Sequence, residues 1–236
     1  MAKGKLYIIP IPISEDNFER VLPNFNQTIV NELRHFLVEK IKTSRQFLRK
    51  MNPTFPIDDC QFYELNKHDD YSFQDEVIQH LQKGIDVGIM SESGYPGVAD
   101  PGTTFIALAH THQIEIVPLI GPSSLLLALA CSGMNGQGFT FNGYLPKSDA
   151  ERSQKIKELN SIIQKTGFAQ LFIETPFRNE AIFQDLLTHS NPTLLLTIAY
   201  DITGAKQFIR TKSIGEWKKH PFKFDKTPCV FVLGKS

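Results

Sequence analysis

The stretch with the most chemical character is Ser91-Glu-Ser-Gly-Tyr-Pro-Gly-Val-Ala-Asp-Pro-Gly102, which directly follows the strand-like run Val87-Gly-Ile-Met90. Three glycines and two prolines in twelve residues make a rigid loop whose backbone amides can approach a ligand closely. In an open α/β sheet, ligands bind at the carboxyl ends of strands, so this is where a site would be built. Arg178 follows Pro176 at a predicted helix start, where the helix dipole disfavours a cation, and is therefore expected to orient an anionic group.

Other chemistries are excluded by what stands in their place. Pro10-Ile-Pro-Ile-Ser14 occupies the position of a glycine-rich phosphate loop after the first strand, so neither a dinucleotide fingerprint nor a Walker A motif is present. There is no G-x-S-x-G and no H-E-x-x-H. The His110-Thr-His112 pair would face opposite sides of a strand, or stand about 200° apart on a helix, so no metal is expected there. His68-Asp69-Asp70 reads as a solvated loop cluster. Cys60, Cys131 and Cys229 are too few, too far apart and odd in number for a disulfide framework or a zinc site.

The elements that must position these residues alternate short β-rich runs with longer amphipathic stretches, the pattern of an α/β chain. Strands are expected at Lys5–Ile11, His35–Glu39, Gln61–Leu65, Asp86–Met90 and Ile114–Pro118, with helices at Ser72–Lys83 and Thr103–Thr111. This order calls for right-handed crossovers and a mainly parallel sheet. Val30–Met51 is ambiguous: Leu33, Leu37, Ile41 and Leu48 keep a helical period, so pattern alone allows one long helix. Leu119–Ser124 reads as a hinge, with Pro122-Ser-Ser able to start a helix through Leu125–Cys131. A second series follows, with strands at Phe139–Gly143, Ala169–Glu174 and Leu194–Tyr200 and helices at Asp149–Gln164 and Asn179–Thr188. The end reads as a meander: Lys206–Thr211, a helical turn at Ile214–Lys219, and Cys229–Leu233. The reading is two α/β domains, residues 1–118 and 119–236, the first sheet mainly parallel and the second mixed.

The 236 residues carry 25 Lys+Arg and 25 Asp+Glu, which excludes a globally basic nucleic-acid binder. The halves differ, however: residues 1–146 hold 11 basic and 16 acidic residues, residues 147–236 hold 14 and 9. A hydrophobic fraction of 41% excludes a disordered chain. No apolar run approaches the ~20 residues of a membrane span, and the start reads as a strand entry rather than a signal peptide. A reducing cytoplasm is the expected location.

Ser91–Gly102, Ile116-Val-Pro-Leu-Ile-Gly-Pro-Ser-Ser124, Phe139–Pro146 and Phe172-Ile-Glu-Thr-Pro-Phe-Arg178 together resemble the tetrapyrrole methylase superfamily, whose members use S-adenosylmethionine and form two α/β domains with the cofactor in the cleft between them. The nearest branch is the small-subunit ribosomal RNA ribose 2′-O-methyltransferases. That branch has S-D-A-G-T-P-x-x-S-D-P-G, P-G-P-S-A and Y-E-S-P-H-R at the corresponding places. The resemblance runs from Leu6-Tyr-Ile-Ile-Pro to Pro228-Cys-Val-Phe-Val-Leu-Gly. Three segments depart from the branch. P-T-P-I-G-N-L is replaced by Pro10-Ile-Pro-Ile-Ser-Glu-Asp, E-D-T-R by Glu39-Lys40-Ile41-Lys42, and H-E-H-N-E by Leu65-Asn-Lys-His-Asp69. In that family E-D-T-R ends a strand, which favours breaking Val30–Met51 near Lys40.

The resemblance implies a methyltransferase using S-adenosylmethionine. Carried over by position, backbone groups of Gly94, Tyr95, Pro96 and Val98 would meet the methionine part of the cofactor. Ser123, Ser124, Phe172, Ile173, Ala199 and Pro228 would lie near the adenosine, with Pro10 and Ile11 closing the first-strand side. A ribose hydroxyl is a poor nucleophile and needs a proton acceptor; Glu39, Glu92 and Glu174, all at predicted strand ends, are the candidates. A ribosomal RNA acceptor requires a cationic footprint, and Lys40, Lys42, Arg45, Arg49 and Lys50 form a basic stretch, which reads equally as a solvated helix face. The expected protein is a homodimer. A tetrapyrrole or other small molecule is the alternative acceptor, and a module that holds the cofactor without turnover is the alternative kept open by the departing segments.

Overall fold

The computed structural model describes residues 2–14, 18–65 and 72–235. His68-Asp69-Asp70 and most of the Leu65–Asp69 departure lie outside the described residues, as does the Glu15-Asp16 end of the first-strand departure. The chain divides into two compact units, Met1–Ser123 and Ser124–Ser236.

The first unit holds strands β1 (Lys5–Ile9), β2 (His35–Val38), β3 (Gln61–Glu64), β4 (Val87–Met90) and β5 (Glu115–Pro118), all parallel, in the order β3-β2-β4-β1-β5. Its helices are α1 (Phe18–Val21), α2 (Asn24–Glu32), α3 (Ile41–Met51), α4 (Gln74–Gln82) and α5 (Thr103–Thr111). The pleat sorts side chains to two cores. Leu6, Ile8, Leu37, Val87 and Ile89 pack with Val77, Ile78 and Leu81 of α4 and Phe105 of α5. Ile9, Phe36, Val38 and Met90 pack on the other face with Val30 of α2 and Phe47, Leu48 and Met51 of α3. Both faces are thus covered, and the central β4 is buried at every position, as a parallel sheet requires.

The ambiguous Val30–Met51 stretch is helix, strand and helix in turn. Phe36, Leu37 and Val38 are wholly buried, and successive strand residues bury into opposite cores, whereas a helix would turn part of this run to solvent. The break extends earlier than Lys40, because α2 already ends at Glu32. The expected strands at His35–Glu39 and Asp86–Met90 and the helix at Ser72–Lys83 are each shorter by one to three residues.

The second unit carries β6 (Phe139–Tyr144), β7 (Ala169–Glu174), β8 (Leu195–Tyr200), β9 (Phe208–Ser213) and β10 (Cys229–Gly234), in the order β6-β7-β10-β8-β9. Only β6 and β7 pair in parallel; the other neighbours are antiparallel. Helices α7 (Asp149–Thr166), α8 (Asn179–His189) and α9 (Ile214–Lys219) cover one face through Ile156, Leu159, Phe183, Leu186 and Trp217. Helix α6 (Ser124–Ser132) supplies Ala128 and Leu129 to the other. Gly167, with φ of 74°, ends α7 in a left-handed turn that accepts glycine most readily, and a Ser213–Glu216 capping box starts α9. Among the described residues no helix is long and apolar enough to cross a membrane.

Candidate active site

In the first sheet, β2 leads outward to β3, while its neighbour β4 leads the opposite way, past β1 to β5. The onward connections therefore diverge between β2 and β4, and the carboxyl ends of those two strands border the natural ligand crevice of such a sheet. Glu39 follows β2, and Ser91-Glu92 follows β4. The Glu39 carboxylate accepts the backbone N–H of Glu92 at 3.1 Å, so the two strand ends are joined across the crevice. Glu92 is held in turn by the Lys40 ammonium at 2.6 Å and by the Thr43 hydroxyl. Glu64, at the end of β3, accepts the Ile41 amide at 3.2 Å and satisfies an open donor of the first turn of α3.

A third carboxyl, Asp100, lies in the same field. Burial is the main cause that pushes it up to about 6, with the Glu39 charge next and Glu92 adding to it; a hydrogen bond from Ser91 opposes the shift. Desolvation beside like charges makes this group a better proton acceptor than an ordinary aspartate. In the sequence Asp100 stands before Pro101-Gly102, and nothing local marks its proton affinity. The available signal was that Glu39 and a loop with two acids both stand at expected strand ends; that the two strands are neighbours shows only in the structure.

The loop is pinned at several places. Ile11 and Gly94 exchange both backbone hydrogen bonds, at 2.8 and 3.0 Å, tying the loop to the segment after β1. The Tyr95 hydroxyl donates to the Leu119 carbonyl at 3.0 Å and accepts the Gly121 N–H at 2.8 Å, tying it to the segment after β5. Asn26 of α2 donates to the Ile120 carbonyl at 2.8 Å. Gly121 is required by close approach: a Cβ there would lie 2.3 Å from Cγ of Pro10. Gly94 has φ of 70°, and a Cβ would meet only the Pro122 carbonyl, at 3.8 Å. Its peptide N–H is taken by Ile11, so Gly94 offers a ligand a bare Cα rather than a donor. Pro10, Ile11 and Pro96 are buried, Tyr95 is half-buried and Val98 is exposed. Ser123 and Ser124, at the start of α6, are half-buried.

In the second unit, Glu174 ends β7 with a side chain only 1% exposed, and Arg178 Nη1 stands 3.1 Å from its Oε2. Its Oε1 accepts the Thr175 N–H at 2.7 Å, and Arg178 Nη2 donates to the Pro146 carbonyl at 3.2 Å. The anion beside Arg178 in this structure is therefore Glu174, which offsets the unfavourable position of a cation before α8. Phe172 is fully buried and stacks on Phe231, so only its backbone is available to a ligand. Ile173 is half-buried, Ala199 is buried in β8 and Pro228 is exposed. The structure thus groups Glu39 and Glu92 with Asp100 in the first unit, and Glu174 with Arg178 in the second.

Comparisons with known proteins fit this arrangement. No family model matches the chain. The chain is 25% identical over 213 residues to the ribosomal RNA small subunit methyltransferase I of Vibrio cholerae, covering 89% of this chain and 69% of that protein. It is 26% identical to the protein of the same name from Buchnera aphidicola subsp. Schizaphis graminum, covering 98% and 78%. Among solved structures it is similar to the methyltransferase CobJ, with a TM-score of 0.63 at 16% identity over 99% of this chain and 95% of that one. It is also similar to uroporphyrin-III C-methyltransferase from Thermus thermophilus complexed with S-adenosylhomocysteine, with a TM-score of 0.56 at 14% identity over 98% and 97%. The fold is shared with CobJ and uroporphyrin-III C-methyltransferase. The sequence relatives carry the name ribosomal RNA small subunit methyltransferase I, which is the branch that the motifs resemble.

Proposed function

We propose that the chain is an S-adenosylmethionine-dependent methyltransferase that methylates a ribose 2′-hydroxyl of small-subunit ribosomal RNA. The observation that carries this reading is the pinned glycine–proline loop beside a cluster of carboxylates at the β2–β4 crevice, in a chain whose sequence relatives are named ribosomal RNA small subunit methyltransferase I. The loop fits the cofactor on one structural point: buried Gly94 leaves room for a Cβ, bounded by the Pro122 carbonyl at 3.8 Å, that a ligand atom could fill.

In this reading backbone groups of Gly94, Tyr95, Pro96 and Val98 would meet the methionine part of the cofactor, with Pro10 and Ile11 closing the first-strand side. Ser123, Ser124, Phe172, Ile173, Ala199 and Pro228 would lie near the adenosine. When bound, S-adenosylmethionine would supply a methyl group on a sulfonium, the acceptor oxygen bonding to that carbon as its bond to sulfur breaks and the neutral thioether leaves. The chain's own task is largely alignment, which contributes up to ~7–11 kcal/mol in well-oriented reactions. Asp100 takes the hydroxyl proton, since its raised affinity for protons still leaves it mostly ionised at neutral pH. Glu92, fixed by Lys40 and Thr43, and Glu39, which holds the Glu92 amide, set the geometry of the loop's first residues. The Glu174–Arg178 pair holds the end of β7 and the Pro146 carbonyl in place.

The same reading includes a cytoplasmic homodimer, supported by the family resemblance and checked by sedimentation of the purified protein. A tetrapyrrole or other small-molecule acceptor is the second reading, favoured by the fold likeness to uroporphyrin-III C-methyltransferase. Incubating small ribosomal subunits from a strain lacking this chain with methyl-labelled S-adenosylmethionine separates them. Label should enter the RNA at a phosphodiester that becomes resistant to alkali, because a 2′-O-methyl removes the nucleophile of alkaline cleavage. Label in small molecules alone would move the assignment to the second reading, and cofactor binding without transfer to either would mark a non-catalytic module.

A further inference from the structure

Helix α3 contains no acidic residue. Its buried face is Ser44, Phe47, Leu48 and Met51, while Lys42, Arg45, Arg49 and Lys50 are exposed on the opposite side. Lys42, Arg45 and Arg49 follow one another at spacings of three and four, so they form a single stripe along the helix. Seven residues at ~1.5 Å each give that stripe a length of about 10 Å.

Three features set it apart from an ordinary solvated face. Lys42 sits in the first turn with no acidic neighbour there, against the preference of the helix dipole. Among the described residues, the one ion pair within the stripe joins Arg45 to Asp58 at 3.1 Å with both groups exposed, an arrangement worth little in water. Five of the 11 basic residues in positions 1–146 fall within Lys40–Lys50, although that half is acidic overall. Arg49 is also held in place, donating to the Pro53 carbonyl at 2.8 Å. The helix begins where Glu39, Lys40 and Glu92 meet, so the stripe leads away from the candidate active site.

We infer that Lys42, Arg45 and Arg49 form a phosphate-backbone track that docks the acceptor RNA and delivers its reacting ribose to the β2–β4 crevice. This rests on the proposed RNA acceptor and adds to it the surface that holds the substrate. Backbone contacts of this kind position a nucleic acid without reading its sequence, which suits a helix that presents long cations and no aromatic residue on its exposed side.

The test uses the full chain, its Lys42→Gln/Arg45→Gln/Arg49→Gln variant, and a Lys218→Gln/Lys219→Gln control on the exposed side of α9. Binding of a fluorescein-labelled 20-nucleotide oligouridylate is followed by anisotropy across a salt series. Three lost contacts should flatten the log–log salt dependence by about 2 for a single strand, with affinity falling at least tenfold at ~0.1 M salt. KM for small ribosomal subunits should rise at least fivefold, by more than kcat falls. The control should leave both readouts unchanged, and matching melting curves and cofactor heats establish that the triple variant is folded. An unchanged salt slope and KM in the triple variant would overturn the track. So would loss of binding in the α9 control, or a defect on whole subunits with naked RNA binding intact, which would point to a ribosomal protein contact. Methyl transfer to RNA with an unaffected triple variant refutes only this inference, whereas oligouridylate binding without any transfer to RNA refutes only the underlying activity.

Discussion

At neutral pH the Asp100 carboxyl is ionised against its surroundings, and the pH dependence of stability carries that signature. The folded chain releases this proton near pH 6, whereas an unperturbed aspartate does so near 3.8. Between those values the folded state binds more protons than the unfolded one, so stability falls as pH rises through this window and stays lower above it. Asp100→Asn removes the cost. It should stabilise the chain at pH 7.5 by about 1–3 kcal/mol, show no gain at pH 4, and lower methyl transfer at least a hundredfold; urea titrations at the two pH values check the first part. Arg178 behaves in the opposite way. Arg178→Met leaves the Glu174 carboxylate buried without its cation and should cost about 2–4 kcal/mol. Adding Glu174→Gln should recover much of that loss, as a double-mutant cycle measures. Arg178 was legible in the sequence as a cation out of place, but the identity of its anion was not, because Glu174 and Arg178 meet only where β7 hands over to α8.

At the scale of elements, the loop Ser91–Gly102 works because two neighbouring segments clamp it: Ile11 after β1 by backbone exchange with Gly94, and Leu119 and Gly121 after β5 through the Tyr95 hydroxyl, with Pro10 and Gly121 in close contact where those two segments meet. Gly121→Ala drives a methyl group into the Pro10 ring. It should destabilise the first unit by about 1–3 kcal/mol and weaken S-adenosylmethionine binding, read by calorimetry, with a larger effect than the same change at Gly136, where a Cβ meets nothing within 4 Å. The glycines and prolines of this loop were readable one by one. The clamp was not, since its partners are 24 and 83 residues away along the chain in the Tyr95–Leu119 and Ile11–Gly94 pairs. The boundaries of β2 show the same limit. Leu33, Leu37, Ile41 and Leu48 fit a helical period, and only the opposite burial of Leu37 and its neighbours Phe36 and Val38 in two separate cores makes the run a strand.

For the whole molecule, a cofactor that binds only the folded chain must raise its thermal stability. At a hundred times Kd, S-adenosylmethionine should add about 2.7 kcal/mol, a rise of roughly 5–10 °C in Tm for a chain of this size; a scan with no shift at millimolar cofactor would remove the donor from the reading. The α/β class, the strand–helix order outside Val30–Met51 and the loop that marks the carboxyl edge followed from local pattern, because apolar period, glycine and proline act within a few residues of themselves. The order β3-β2-β4-β1-β5 did not. It brings Glu39 beside Glu92 and Asp100, and so decides which acids share a field and which, like Glu174, are spent on a cation in the other unit. Proton affinity and charge pairing depend on distance through space, and that distance is set by tertiary packing rather than by position along the chain.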